Sequence, residues 1–226
     1  MIKPTPTFLI YLPLSKYIPE THASYLHLIS EERKARVEKA PHKQKSLLVY
    51  SEFLVRLVAC KILDISYDNV HIERNAYGKP FIMNYPHFHF NVSHSNEALT
   101  LFVSNTSVGV DIEYWGTPYF NIARRFFTDE EFSYIFDNEA EKNLRFYEIW
   151  TRKEAYIKQI GLGLSLPLNS FNTFDSKLNS CFKTFHVENH IISICHTNKN
   201  LNISPIQISE QDIFSSLTNN QIIVHL

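Results

Sequence analysis

Two short stretches carry residues that could do chemistry together. Asp111 and Glu113 lie two apart in Val108-Gly109-Val110-Asp111-Ile112-Glu113, and Glu154 and Lys158 lie four apart in the stretch 150–164, WTRKEAYIKQIGLGL. On a strand, a period of two puts both acids on one face while Val108, Val110 and Ile112 fill the other. On a helix, Glu154 and Lys158 share a face, with Trp150 and Ile157 flanking it and Gly161 and Gly163 ending it. Two adjacent carboxylates repel, and a hard divalent cation with oxygen ligands satisfies both. Mg²⁺ takes one or two carboxylates, with waters and substrate phosphates completing its shell. A solvated edge strand with two acids, and a surface helix with an ordinary Glu–Lys pair, fit the same residues.

A phosphate-bearing partner would need bases, and several stand upstream. Arg33, Lys34 and Arg36 follow Ser30, a good helix cap, with acids in the first turn. Lys43, Lys45 and the Ser46 hydroxyl fall at the start of a long apolar helix expected over 47–63, where free N–H groups and the dipole favour an anion. Lys79 sits on the stiff turn Asn75-Ala76-Tyr77-Gly78-Lys79-Pro80. These bases surround an anion or form a solvated face; the pattern alone fits both. Ser93-His94-Ser95 closes a strand whose Phe88, Phe90 and Val92 alternate as a buried face, and suits the polar groups of a ligand. The spacing of His87, His89 and His94 matches no familiar zinc site, and no G-x-S-x-G elbow supports a hydrolase.

The chain of 226 residues has 22 basic and 23 acidic side chains, a net charge of −1 and 44% hydrophobic residues. That builds a real core and gives no case for general nucleic-acid binding, so anion recognition must be local. Cys60, Cys181 and Cys195 form no disulfide framework. The N-terminus lacks a signal-peptide pattern, and the apolar run 46–63 carries Glu52, Arg56 and Lys61, which suits a core helix and not a membrane span. A soluble cytoplasmic protein is expected.

The elements that must position these residues read as follows. A strand over 8–12, the two helices just described, a strand over 70–74, and strands over 87–95, 98–104 and 108–115 come first. Short helices follow over 120–127 and 129–136, the second capped by Thr128 with Glu130 and Glu131 in its first turn. A helix from about 143 runs into the 150–164 stretch. The last quarter reads as strands over 171–174, 181–187, 191–196 and 206–209. A long helix followed by strands thus occurs twice, which suggests two similar halves, 1–105 and 106–226, meeting near 105–109.

Three segments in this order, Gly78-Lys79-Pro80 leading to Phe90-Asn91-Val92-Ser93-His94-Ser95, then Val108 to Glu113, then Trp150-Thr151-Arg152-Lys153-Glu154-Ala155-x-x-Lys158-x-x-Gly161-x-Gly163, resemble the signature motifs of the 4′-phosphopantetheinyl transferases. The resemblance is to the large single-chain type that activates surfactin synthetase. It extends over about 30–171, through Arg125-Phe126-Phe127 and the Leu-Ser-Leu-Pro-Leu of 164–168. It implies a pseudo-twofold α+β fold of two similar α/β halves, with the first on the nucleotide side, the second on the metal and catalytic side, and the active site between them. It implies coenzyme A as substrate and Mg²⁺ (or Mn²⁺) held by Asp111, Glu113 and Glu154. Lys153 and Lys158 would face the phosphates, Lys79, Ser93 and His94 the nucleotide, with His94 near its 3′-phosphate. Arg33, Arg36, Lys45 and Ser46 would also touch the nucleotide, through an alignment with a gap before Lys45. Glu131 falls at a further family acid. The implied reaction transfers phosphopantetheine to a serine of an apo acyl or peptidyl carrier protein, Glu154 taking the serine proton and Lys158 neutralising the leaving phosphate. Carrier docking is expected on apolar residues around 124–136. A monomer, without nucleic-acid or membrane partners, is expected. The alternative is an inactive coenzyme A-binding or carrier-docking protein of the same fold.

Overall fold

The computed structural model describes residues 5–15, 24–199 and 201–219. In chain order the helices are α1 (Glu31–Lys39), α2 (His42–Leu63), α3 (Asn121–Phe126), α4 (Asp129–Phe136), α5 (Lys142–Ile160), α6 (Ser176–Asn179) and α7 (Glu210–Asn219). The strands are β1 (Phe8–Pro13), β2 (Ile72–Arg74), β3 (Pro80–Ile82), β4 (His89–Ser95), β5 (Ala98–Ser104), β6 (Val108–Tyr114), β7 (Phe182–Val187), β8 (His190–His196) and β9 (Pro205–Gln207). They form a sheet β4-β5-β1-β9, a β2-β3 ribbon and a sheet β6-β8-β7. The class is α+β.

Each half wraps a long helix onto its sheet. The first core gathers Val49, Tyr50, Phe53, Leu54, Leu57 and Val58 of α2 against Ile10 and Leu12 of β1 and Leu99, Leu101 and Val103 of β5. The other face of the same strands, Leu9, Tyr11 and Phe102, packs with Val108, Val110 and Ile112 of β6. Alternation along β1 and β6 therefore joins the halves through one apolar layer.

Local signals hold where side chains cap the backbone. Ser30 accepts from the Arg33 amide, Thr128 and Glu131 form a reciprocal capping box, and α5 ends at Gly161 with φ 77°. Three expectations need correction. Helix α2 begins at His42, so Lys43, Lys45 and Ser46 lie within its first turns and not ahead of it. Residues 171–174 are not a strand: Leu168 and Phe171 turn their carbonyls onto Lys153, and Thr173 donates to Glu131, so side chains of the helical layer satisfy this backbone. Finally, β9 pairs parallel to β1, and α7 packs on α2 through Ile213 against the first core. Residues 205–219 therefore lie with the first half, across the expected division at 105/106.

Candidate active site

The site lies where β4, β6 and α5 meet. Strands β4 and β6 belong to different sheets but run side by side, tied by side chains: Asn91 Oδ1 accepts from the Val110 amide at 2.9 Å, Ser93 Oγ donates to Asp111 Oδ1 at 2.8 Å, and Ser95 Oγ donates to Glu113 Oε2 at 2.8 Å. The polar face of β4 thus meets the acidic face of β6, which is why Asn91 and Ser93 are buried although polar. Helix α5 covers the same face. It comes close because Gly109 has no side chain: a Cβ there would stand 1.9 Å from the Ala155 carbonyl oxygen and 2.4 Å from the Gln159 nitrogen. This approach brings Glu154 and Lys158 to Asp111.

Lys158 Nζ lies 2.6 Å from Asp111 Oδ1 and 2.8 Å from Ser93 Oγ. Asp111 is 4% exposed, and its Oδ2 is buried with no hydrogen-bond partner among the described residues. Glu113 accepts from Ser95 and from Trp150 Nε1 at 3.3 Å. Burial, then the charge of Asp111, pushes its carboxyl up to about 7. Burial and then Asp111 also raise Glu154, against the opposing pull of Lys158. Among the described residues Glu154 is tied to no hydrogen-bond partner. Three carboxyl groups thus crowd a half-dry junction, short of positive charge.

A divalent cation fits this chemistry. The donors are hard oxygens, the orphaned Asp111 Oδ2 has an unmet valence, and the raised acids would be relieved by positive charge. Among the described residues, however, no group of three or more His, Cys, Asp or Glu is already gathered for a metal. The Lys158 ammonium holds one side of Asp111 instead.

Beside the acids runs a basic recess. A cavity of about 190 Å³ is lined by Arg33, Arg36, Arg74, Asn91 and His94 among others. Arg33 spends its Nε on Glu52 at 3.3 Å. Arg74 was missed from sequence; the pairing of Arg74 with Pro80 across the β2–β3 ribbon carries it to this recess. The exposed His94 also lines a second cavity of about 590 Å³, shared with Lys43, Ser95, Tyr114 and His190.

Three expected ligands, Lys153, Lys45 and Ser46, lie elsewhere, and a fourth, Lys79, lines a cavity of about 180 Å³ with Asn91 and Lys158 but has its ammonium engaged. Lys153 is 0% exposed and pairs with the equally buried Glu131 at 2.7 Å, with its remaining donors on the Leu168 and Phe171 carbonyls. One residue before Glu154 on the helix, it turns into the core. Burial lowers its pKa while Glu131 resists. Lys79 Nζ reaches Val108 O at 2.9 Å, Gln159 O at 2.8 Å and Ser107 Oγ at 3.2 Å, which occupies all three donors of an ammonium. Burial lowers it to about 8. It staples the first half to the end of α5. Lys45 lines neither cavity: Lys43 and Leu47, at i and i+4, take that helix face. Ser46 is 3% exposed and faces a recess lined also by Leu14, Pro41 and Leu47. Arg33, Arg36, Ser93, His94, Asp111, Glu113, Glu154 and Lys158 converge on one junction.

The sequence family described as the 4′-phosphopantetheinyl transferase superfamily matches residues 107–209, and that described as 4′-phosphopantetheinyl transferase, N-terminal, matches residues 17–106. The chain is 33% identical over 162 residues to 4′-phosphopantetheinyl transferase Sfp of Bacillus subtilis (strain 168), covering 71% of each chain. The chain belongs to the 4′-phosphopantetheinyl transferase superfamily. Further members of that superfamily agree. It is 36% identical over 142 residues to 4′-phosphopantetheinyl transferase gsp of Aneurinibacillus migulanus, covering 62% of this chain and 59% of that one. It is 29% identical over 167 residues to the mouse L-aminoadipate-semialdehyde dehydrogenase-phosphopantetheinyl transferase, covering 67% of this chain and 54% of that one. The matched span is thus between about half and seven tenths of these relatives' lengths. Among the described residues no helix is long and apolar enough to cross a membrane.

Proposed function

We propose that this chain transfers the 4′-phosphopantetheine group of coenzyme A to a serine of an apo carrier protein, releasing 3′,5′-ADP. The observation that carries it is the junction of Asp111, Glu113, Glu154 and Lys158 beside the recess of Arg33, Arg36, Arg74 and His94. Crowded acids next to a basic recess suit a ligand with a diphosphate and a further phosphate. Asp111, Glu113 and Glu154 would hold Mg²⁺ (or Mn²⁺), which when bound neutralises diphosphate charge.

The protein's own groups do the rest. Arg33, Arg36 and His94 hold the nucleotide end. Lys158 lies against Ser93 and Asp111 and supplies positive charge to the phosphate that leaves. Glu154, with no hydrogen-bond partner among the described residues and raised by burial, takes the serine proton directly or through water. A raised carboxyl is a better-matched base near neutral pH. The serine oxygen bonds to the β-phosphorus as the bond to the bridging oxygen breaks, and that electron pair leaves on 3′,5′-ADP. Positioning and charge carry this reaction more than covalent catalysis. The carrier meets exposed Trp115, Tyr119 and Phe136, which bracket α3 and α4. The protein acts as a cytoplasmic monomer.

Coenzyme A, Mg²⁺ and an apo acyl or peptidyl carrier, read by intact mass, test this directly: the carrier gains phosphopantetheine. Glu154→Gln lowers turnover roughly 10²- to 10⁴-fold while coenzyme A binding persists, the usual contribution of a positioned base. Near wild-type turnover in Glu154→Gln overturns its role. Coenzyme A binding without carrier modification by the wild type leaves a binding protein.

A further inference from the structure

The basic recess has an acid in its wall. Glu52 of α2 lines it beside Arg33, Arg36, Arg74 and His94, yet is only 3% exposed. In the sequence it is one charge within an apolar helix, and it takes no part in the junction at Asp111. Its two oxygens gather four donors. Oε1 accepts from the Ser30 amide at 2.8 Å and from Arg56 Nε at 2.8 Å. Oε2 accepts from Ser30 Oγ at 3.0 Å and from Arg33 Nε at 3.3 Å. Burial would raise this carboxyl, but the Ser30 amide and then Arg56 outweigh it and hold it below the usual carboxylate range, so Glu52 stays charged.

The donors differ in where they lead. Ser30 Oγ also caps α1 on the Arg33 amide at 3.3 Å, and Arg56 donates onward to the Val70 carbonyl at 2.8 Å. These two tie α1 and the connection to β2 onto α2. Arg33 leads into the recess. Among the described residues neither of its Nη nitrogens has a hydrogen-bond partner. Burial lowers its pKa, Glu52 opposes that, and Arg36 and Arg74 add like-charge repulsion. A guanidinium is a planar fork on a flexible stem, and the stem must be ordered before the fork can bind an anion. Without Glu52, repulsion from Arg36 and Arg74 would turn Arg33 away from them. The bond at Nε resists this and leaves the Nη pair for a bidentate oxyanion.

We infer that Glu52 is a positioning residue for phosphate recognition: it holds Arg33 by Nε so that both Nη nitrogens serve a phosphate in the basic recess. This rests on the proposed function and deepens it. The diphosphate of coenzyme A takes the acidic junction, so the phosphate for the recess is the one on the ribose 3′ position. Glu52 itself touches no ligand. Its oxygens are engaged within the protein, and its charge would repel a phosphate placed directly against it.

Calorimetry in Mg²⁺ compares coenzyme A with dephospho-coenzyme A, which lacks the 3′-phosphate. Glu52→Gln keeps the shape but turns an amide N–H₂ toward donors and releases Arg33. It should weaken coenzyme A about tenfold, or roughly 1.4 kcal/mol, and leave dephospho-coenzyme A within about twofold. In an Arg33→Met background, where Ser30 and Arg56 still hold Glu52, the same change should weaken coenzyme A by less than about twofold. Glu52→Asp keeps a charge for Arg56 and withdraws it by one methylene. It should show the same pattern at about threefold, which covers a Gln variant that fails to fold. Equal weakening of both ligands, or of neither, overturns the inference. A loss that persists in the Arg33→Met background also overturns it, and assigns Glu52 to the frame through Arg56. So does a wild type that binds the two ligands equally. No transfer is read, so the inference and the proposed transfer fail separately; a wild type that binds neither ligand overturns both.

Discussion

Glu113 should make the apo protein less stable, and replacing it by glutamine should reveal by how much. Its carboxyl is raised from 4.5 to about 7, first by burial and then by Asp111. The folded state therefore holds a proton that the unfolded chain gives up near 4.5. Between these values the native state binds more protons, so stability falls as pH rises, and the whole penalty is present above about 7. At about 1.4 kcal/mol per pH unit the penalty is roughly 3 kcal/mol. A glutamine at this position keeps one acceptor for Ser95 or Trp150 and loses the other at a cost of about 1 kcal/mol. Glu113→Gln should gain about 1–2 kcal/mol at pH 8, or roughly 2–8 °C in Tm for a chain of this size. At pH 5 most of the gap should close. Thermal melts without metal at both pH values measure it. A variant no more stable than wild type at pH 8, or a gap that persists at pH 5, refutes the reasoning. Mg²⁺ with coenzyme A should raise the wild-type Tm more than that of the variant, because glutamine cannot supply an anionic ligand.

Other substitutions probe the frame around the acids. Gly109→Ala places a methyl against α5 backbone that cannot yield, so it should cost about 3 kcal/mol or more and weaken coenzyme A binding, read by melts and calorimetry. Lys153→Met leaves Glu131 charged and buried and should cost about 3–5 kcal/mol in denaturant melts, while the folded fraction keeps wild-type coenzyme A affinity. Lys79→Met removes the ammonium from the Val108 and Gln159 carbonyls, of which Gln159 keeps the Ser107 hydroxyl, and should lower stability by about 1–3 kcal/mol, with the salt dependence of coenzyme A binding unchanged because its three donors are spent within the protein.

The acidic face of β6 and the shared face of Glu154 and Lys158 were legible because period two and i,i+4 spacing are local. So were the caps at Ser30 and Thr128. What was not legible depends on distant partners. Nothing near Lys153 announces that Glu131 and two carbonyls of 168–171 will surround it, and a lysine beside a catalytic acid reads as a second phosphate ligand. Lys79 looked like a stiffly held phosphate contact, but the ends that capture it belong to β6 and α5 of the other half. Arg74 reached the basic recess through a hairpin register that its own neighbours do not encode. Strand β9 was expected as a strand, yet its pairing with β1, at the opposite end of the chain, follows from sheet closure and not from local pattern.

The corrected lysines explain how the crowded acids are tolerated. Three carboxyl groups with one ammonium among them push β6 and α5 apart. Lys79 holds the end of α5 to the start of β6, and Lys153 anchors the middle of α5 to Glu131 of α4. Thr151 fastens the same helix to Ser193 of β8 at 2.7 Å. None of these groups needs to touch a ligand, yet each opposes the opening that the acids favour. The helix that presents Glu154 and Lys158 is therefore fixed on its far side before any cation arrives. That leaves the unmet valence of Asp111 Oδ2 and the raised carboxyls available to the ligand, in place of being relaxed by a shift of the helix.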